Sequence, residues 1–290
     1  MRPEGCPVLK ESGIPEMTKS GPRKTSSLSS RCPLLRQAGR KCSYLRMPWD
    51  FWLIFFALGV LLPWRGRARM LKLLAMPHVS SMERLVLYAS TIAFQWVAVA
   101  IVGWRVWVHG YTAEQLGLVV HGLTRLVTAA VMGAVIIGGL QWLNLRRIGR
   151  RIPVKSRGVM QAVAERILPQ SAVELLPYLA LAVTAGLCEE FLYRGFAMAA
   201  LASAGLGAWL VVLVSSLLFG LAHSYQGKGG MVMTFVVGVV LGVSRLTYNS
   251  LVPAIFWHGA VDVVAGVAGT RYLVRNPMGS QEGNLRSEGE

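Results

Sequence analysis

Apolar residues in this chain fall in long blocks, not at the three-to-four spacing of a surface helix or the alternation of a half-buried strand. The blocks cover residues 49–64, 85–104, 126–143, 172–188, 191–201, 209–222, 231–246 and 253–268. Several reach the roughly 17–25 residues that cross a bilayer as a helix. The pattern predicts an all-α fold, a polytopic transmembrane bundle of about six to eight helices. The 85–104 and 126–143 blocks read as plain spans. Block 49–64 is short and carries Asp50; tryptophans at both ends resemble the aromatic anchors of a membrane interface, so it either spans or lies in that interface. Block 172–188 is interrupted by Glu174 and Pro177 and runs into two adjacent glutamates. Block 209–222 ends at His223. Block 253–268 opens on Pro253, which suits a first helical turn.

Composition agrees. Of 290 residues, 53% are hydrophobic and 15% charged, against about 25% charged in ordinary soluble domains. The net charge of +16 is unevenly placed. Residues 1–46 carry ten Lys/Arg against three Glu. Two further clusters are Arg65, Arg67, Arg69 and Lys72, then Arg146, Arg147, Arg150, Arg151, Lys155 and Arg157. Basic loops beside apolar spans mark the cytoplasmic side. Placing both clusters there makes 85–104 and 126–143 a hairpin, whose connecting loop at 110–125 faces the other side. A nucleic-acid partner is excluded: there is no recognised motif and no interleaving of basic and aromatic residues. Cys6, Cys32, Cys42 and Cys188 form no CxxC pair, hence neither a disulfide framework nor a zinc cluster; Cys188 reads as a small core residue. The stretch 1–47 lacks an apolar period and the order of a signal peptide, and reads as a disordered basic tail. Met47, directly before the first apolar block, is a second candidate start.

Three polar sets stand on the last apolar blocks. Charge in hydrocarbon is costly unless paired, so an intramembrane carboxylate marks a functional site by default. Glu190 and Arg194 are four apart and share a helix face; that pair reads as a structural clamp. Glu189 is rotated by about 100° from Glu190 on a helix and is left for chemistry, since a desolvated carboxylate is a stronger base. Phe219 and His223 repeat the spacing, as do His258 and Asp262, where the carboxylate can fix the imidazole's tautomer. One histidine in an apolar helix is more often a satisfied core residue. Three spaced sets on three apolar blocks in the last hundred or so residues are poorly explained that way.

The succession Glu189-Glu190…Arg194, Phe219…His223 and His258…Asp262 resembles the CPBP family, the CAAX and bacteriocin-processing (Abi) intramembrane proteases, over roughly 165–270. Arg194-Gly195, the run from Ser215 to His223 and, more weakly, Gly110-Tyr-Thr-Ala-Glu-Gln-Leu-Gly-Leu118 add to it. Asp262 stands where the family's prenyl-protein proteases typically carry Asn. The resemblance implies peptide-bond hydrolysis within the membrane, in the cytoplasmic membrane of a prokaryote, on a peptide or protein substrate that is membrane-associated or lipid-modified. It implies that Glu189 and His223 activate water, that His258 and Asp262 stabilise the oxyanion or join in binding a metal, and that Glu190, Arg194 and Phe219 support them. Two chemistries stay open: zinc or another divalent ion held by Glu189, His223 and His258, or a glutamate base without metal. The expected organisation is a tail over 1–47, transmembrane helices with basic loops over 48–160, a catalytic helical core over 161–274, and a polar tail over 275–290.

Two other functions use the same residues. A catalytically silent scaffold or bacteriocin self-immunity protein would keep the polar cluster for folding, and its phenotype would survive Glu189→Gln. A proton-coupled transporter also uses buried Glu and His, but the chain shows no inverted repeat.

Overall fold

The computed structural model describes residues 47–153 and 156–274; the expected tails, apart from Met47, and Lys155 of the second basic cluster lie outside the described residues. In chain order the helices are α1 (Trp49–Ala75), α2 (Ser81–Val108), α3 (Ala113–Leu116), α4 (Leu123–Arg151), α5 (Gly158–Ile167), α6 (Ala172–Ser203), α7 (Ala208–Ala222), α8 (Ser224–Tyr248) and α9 (Val252–Leu273). No strand occurs among the described residues. Six of these helices, all but α3, α5 and α7, are long and apolar enough to cross a membrane. Large apolar side chains such as Trp52, Trp107, Val135 and Leu176 are 62–75% exposed, a surface that only lipid or a partner would cover. The chain is a multi-pass integral membrane protein.

The structure departs from the expected segments in two ways. Blocks 172–188 and 191–201 fuse into α6, 32 residues long. The double glutamate does not end the helix, because a wide π-helical turn, Phe191–Ala197, carries the chain on. The first block settles as a span: α1 runs 27 residues, through Arg65, Arg67, Arg69 and Lys72. Arginine and lysine are good helix formers whose long stems let the charge reach water, so this cluster is helical where a loop was expected. Arg146, Arg147, Arg150 and Arg151 likewise form the last turns of α4, where cations complement the helix dipole. Asp50 pairs with Arg105 Nε at 2.7 Å and faces His109 Nε2 at 3.1 Å, which removes the objection that its charge raised to a span.

α6 is the most buried of the spans. It packs on α2 and α9, α9 lies along α4, and α7 pairs with α8. The two arms of the expected hairpin thus pack mainly on different partners. Both basic clusters lie at one end of the bundle. There Arg166 of α5 donates to the Leu73 and Met76 carbonyls, and Arg157 to the Gly149 and Tyr272 carbonyls. Glu174, which the sequence marks as an interruption, is fully buried at the start of α6. It accepts from Arg84 Nε and Nη2 at 2.8 and 2.9 Å, from the Gln170 amide at 2.7 Å and from the Ser81 hydroxyl. A buried carboxylate is tolerated when its lone pairs are filled in this way.

The opposite end is ordered by the loop of residues 110–122. Thr112 and Gln115 form a reciprocal capping box on α3, and Gly117 closes it with φ +73°. The Gly117 carbonyl accepts from the Leu251 amide at 2.8 Å, which ties this loop to the start of α9. A β-carbon at Gly117 would meet the Arg245 guanidinium as well as an unfavourable φ. At Gly186, one turn before Glu190, α6 meets α9 backbone to backbone. An added β-carbon would lie 3.1 Å from the Ile255 carbonyl and 3.4 Å from the Gly259 nitrogen. Gly186→Val should therefore force the two helices apart, lowering stability by about 1–3 kcal/mol, measurable as a lower unfolding midpoint in detergent, and separating Glu190 from His258.

Candidate active site

Glu189 and Glu190, at the middle of α6, point to different neighbours, as their rotation on the helix predicts. Glu190 is 0% exposed, and so is Arg194. Arg194 Nη1 donates to Glu190 Oε1 at 2.7 Å, Arg194 Nη2 donates to the Gly238 carbonyl of α8 at 3.2 Å, and its guanidinium stacks 4.2 Å from the Phe219 ring centroid. Glu190 Oε1 also meets His258 Nδ1 at 2.8 Å. The spacing of Glu190 and Arg194 was legible; this second bond was not, because it joins residues 68 apart in sequence. Glu190 thus links α6 to α9 and orients His258. Asp262, the expected orienting partner, lies at the other ring nitrogen, Nε2, at a longer 3.4 Å.

His223 follows the last turn of α7. Its Nδ1 is 2.9 Å from the Phe219 carbonyl. A carbonyl only accepts, so Nδ1 carries the hydrogen. The Phe219…His223 spacing therefore has a local cause: the imidazole fills one of the carbonyls left open at a helix C-terminus. Its Nε2 then faces Glu189 Oε2 across 3.9 Å, too far for a hydrogen bond. Glu189 Oε2 is buried with no hydrogen-bond partner among the described residues. The side chains of Glu189 and His223 as a whole are 18% and 16% exposed.

The other oxygen of Glu189 has a partner that sequence reasoning missed. Gln95 Nε2, from the middle of α2, donates to Glu189 Oε1 at 2.7 Å. The only signal was one amide in the apolar block 85–104, an uncharged group whose cost draws little notice beside the glutamates. Gln95→Leu should leave the fold intact and lower kcat about tenfold with little change in KM, because Glu189 would lose its orienting donor; steady-state kinetics on a cleaved peptide would read this.

Phe219 sits at the centre. Its ring is 4.7 Å from His223, 5.5 Å from His258 and 5.2 Å from Tyr193, all edge-on. The seven residues singled out from the sequence thus assemble from α6, α7 with the residue after it, and α9. Cys188 beside them is a buried free thiol.

The residues expected to hold a metal do not converge as a ligand set. Both ring nitrogens of His258 face carboxylates, Glu190 and Asp262, and only Glu189 and His223 Nε2 face one another. Among the described residues no three His, Cys, Asp or Glu side chains are grouped to hold an ion.

A family model described as type II CAAX prenyl endopeptidase Rce1-like matches residues 171–264. Over this segment the chain is similar to the Rce1-like CAAX proteases. No curated protein and no solved structure matches the chain. The Rce1-like segment begins at the residue before α6 and runs into α9, so it contains Glu189, Glu190, Arg194, Phe219, His223, His258 and Asp262. Gln95 and all of α2 fall outside it. The family is one of membrane-embedded endopeptidases, in accord with six apolar helices around a buried polar centre.

Proposed function

We propose that the chain is an intramembrane endopeptidase of the CPBP type, in which Glu189 and His223 activate a water for attack on a peptide carbonyl. The observation that carries this is the facing pair: a buried carboxylate oxygen and an imidazole nitrogen, 3.9 Å apart, with no protein donor between them. With Nδ1 protonated, Nε2 offers a lone pair. A water between two such acceptors donates both hydrogens and turns its own lone pairs outward. Glu189 takes the proton as the water attacks, and Gln95 holds its other oxygen meanwhile. Glu189 then passes that proton to the leaving amine, while His223 Nε2 holds the second hydrogen of the attacking water.

His258 serves the oxyanion. Its Nδ1 is fixed by Glu190, and its Nε2–H is directed at Asp262 over a long 3.4 Å contact, which a developing oxyanion can take over. Asp262 aligns the ring when the site is empty. Glu190, Arg194 and Phe219 hold the frame. The substrate is a membrane-associated peptide or protein, and the setting the cytoplasmic membrane of a prokaryote. Asp262 in place of the Asn typical of the family's prenyl-protein proteases favours a substrate without a prenyl group. The orientation of His258 supports direct activation of water over a zinc-bound water. Cleavage by the purified chain should then persist in chelator at sub-stoichiometric metal content; loss in chelator, restored by zinc, would require the ion.

If the pair acts as a unit, its losses are not additive. Glu189→Gln combined with His223→Ala should cleave no more slowly than the worse single variant. Multiplying losses would mean that the two residues act separately.

A further inference from the structure

A second cavity lies outside this centre, between α1 and α2 at the basic end. It encloses about 280 Å³. Its walls are mostly apolar, Leu87 and Phe94 of α2 and Leu181 of α6 among them, and Tyr225 lines it too. Two arginines, Arg65 and Arg69, also line it. They stand four apart on one face of α1, where like charges repel. Arg69 Nη2 donates to the Ser90 hydroxyl at 2.9 Å, a neutral partner, and neither arginine pairs with a carboxylate among the described residues. Trp64, 71% exposed, immediately precedes Arg65, so a tryptophan that suits the headgroup level sits beside the charge. An apolar slot with two cations free of carboxylate partners beside it fits a molecule with an anionic head and a hydrocarbon tail.

We infer that this groove is a binding site for an anionic phospholipid of the surrounding leaflet, its phosphate between Arg65 and Arg69 and an acyl chain lying over Leu87 and Phe94. Charge complementarity carries the choice of occupant, and basic pockets between membrane helices are where such headgroups dock. The site does not depend on the protease reading. It does adjoin that centre: the Tyr225 ring is 5.8 Å from His223.

The test uses the full purified chain in detergent, with dioleoyl phosphatidylglycerol and dioleoyl phosphatidylcholine as probes, read by native mass spectrometry. One phosphatidylglycerol should bind per chain in preference to phosphatidylcholine. R65Q with R69Q should weaken it by roughly tenfold or more, while R146Q with R147Q, at the same end of the bundle, should not. L87W, which fills the slot without touching charge, should weaken it as well, with the elution profile and helical content of each variant checked against the parent. Equal binding of both lipids, equal loss in both arginine pairs, or phosphatidylglycerol retained in R65Q/R69Q would overturn the site. So would displacement of the lipid by an apolar peptide with a free C-terminal carboxylate but not by its amide, because the groove would then belong to the substrate.

Discussion

Glu189→Gln should give a folded, membrane-inserted chain whose peptide cleavage falls by about 10²–10⁴-fold, the range for removing a general base. The substitution keeps the shape of the side chain and an oxygen for the Gln95 amide, and removes only the capacity to take a proton. The partly exposed Glu189 carries no ion pair that holds helices together; the ionisable group facing it is the His223 imidazole, at 3.9 Å. Stability should therefore stay near that of the parent, and the loss should fall on kcat with KM little altered. Cleavage rates at saturating peptide, beside unfolding midpoints of the same preparations, check both halves. Full activity in the folded variant would remove Glu189 from the chemistry.

Glu190→Ala should behave in the opposite way. It strips the counter-charge from Arg194, which is wholly buried, and the acceptor from His258 Nδ1. An uncompensated buried charge costs about 3–5 kcal/mol, so the chain should unfold at clearly lower denaturant or fail to accumulate. Glu190→Gln keeps an oxygen acceptor and should fall between parent and Ala. Arg194→Met, which removes the cation and retains an apolar stem against Phe219, should partly restore the stability of Glu190→Ala, because the unpaired charge goes with it. A Glu190→Ala chain as stable as the parent would show that the pair does not organise the bundle. The two neighbouring glutamates thus separate by readout, one moving rate and the other moving stability.

The different surroundings of Glu189 and Glu190 were legible in the sequence because they follow from helix rotation and four-residue spacing, which are local. Arg194, His223 and Asp262 each stand four residues from their motif partner, and the structure places each pair in contact. The long-range contacts were not legible. Glu190 to His258 and Gln95 to Glu189 depend on how α9 and α2 pack against α6, and no local period encodes that. Gln95 was the harder of the two, since an amide in an apolar helix is far less expensive than a carboxylate. The extent of α1 and α6 was hidden for a related reason. Arg65 to Lys72 reads as a loop by charge, yet most of its residues favour helix, and the π-helical turn that joins the 172–188 and 191–201 blocks into α6 has no signature in the pattern. Glu174 reads as an interruption until Arg84, 90 residues earlier, is seen to fill it.

The central claim is that this chain hydrolyses peptide bonds with a water held between Glu189 and His223. The most direct measurement is product analysis in ¹⁸O-labelled water, with the purified full chain in liposomes and a mixture of membrane-spanning peptides. The account predicts new C-termini carrying one ¹⁸O from the parent protein, and none from Glu189→Gln or His223→Ala. Folded parent protein that cleaves no member of a broad peptide mixture, or labelled products that persist in both variants, would contradict it.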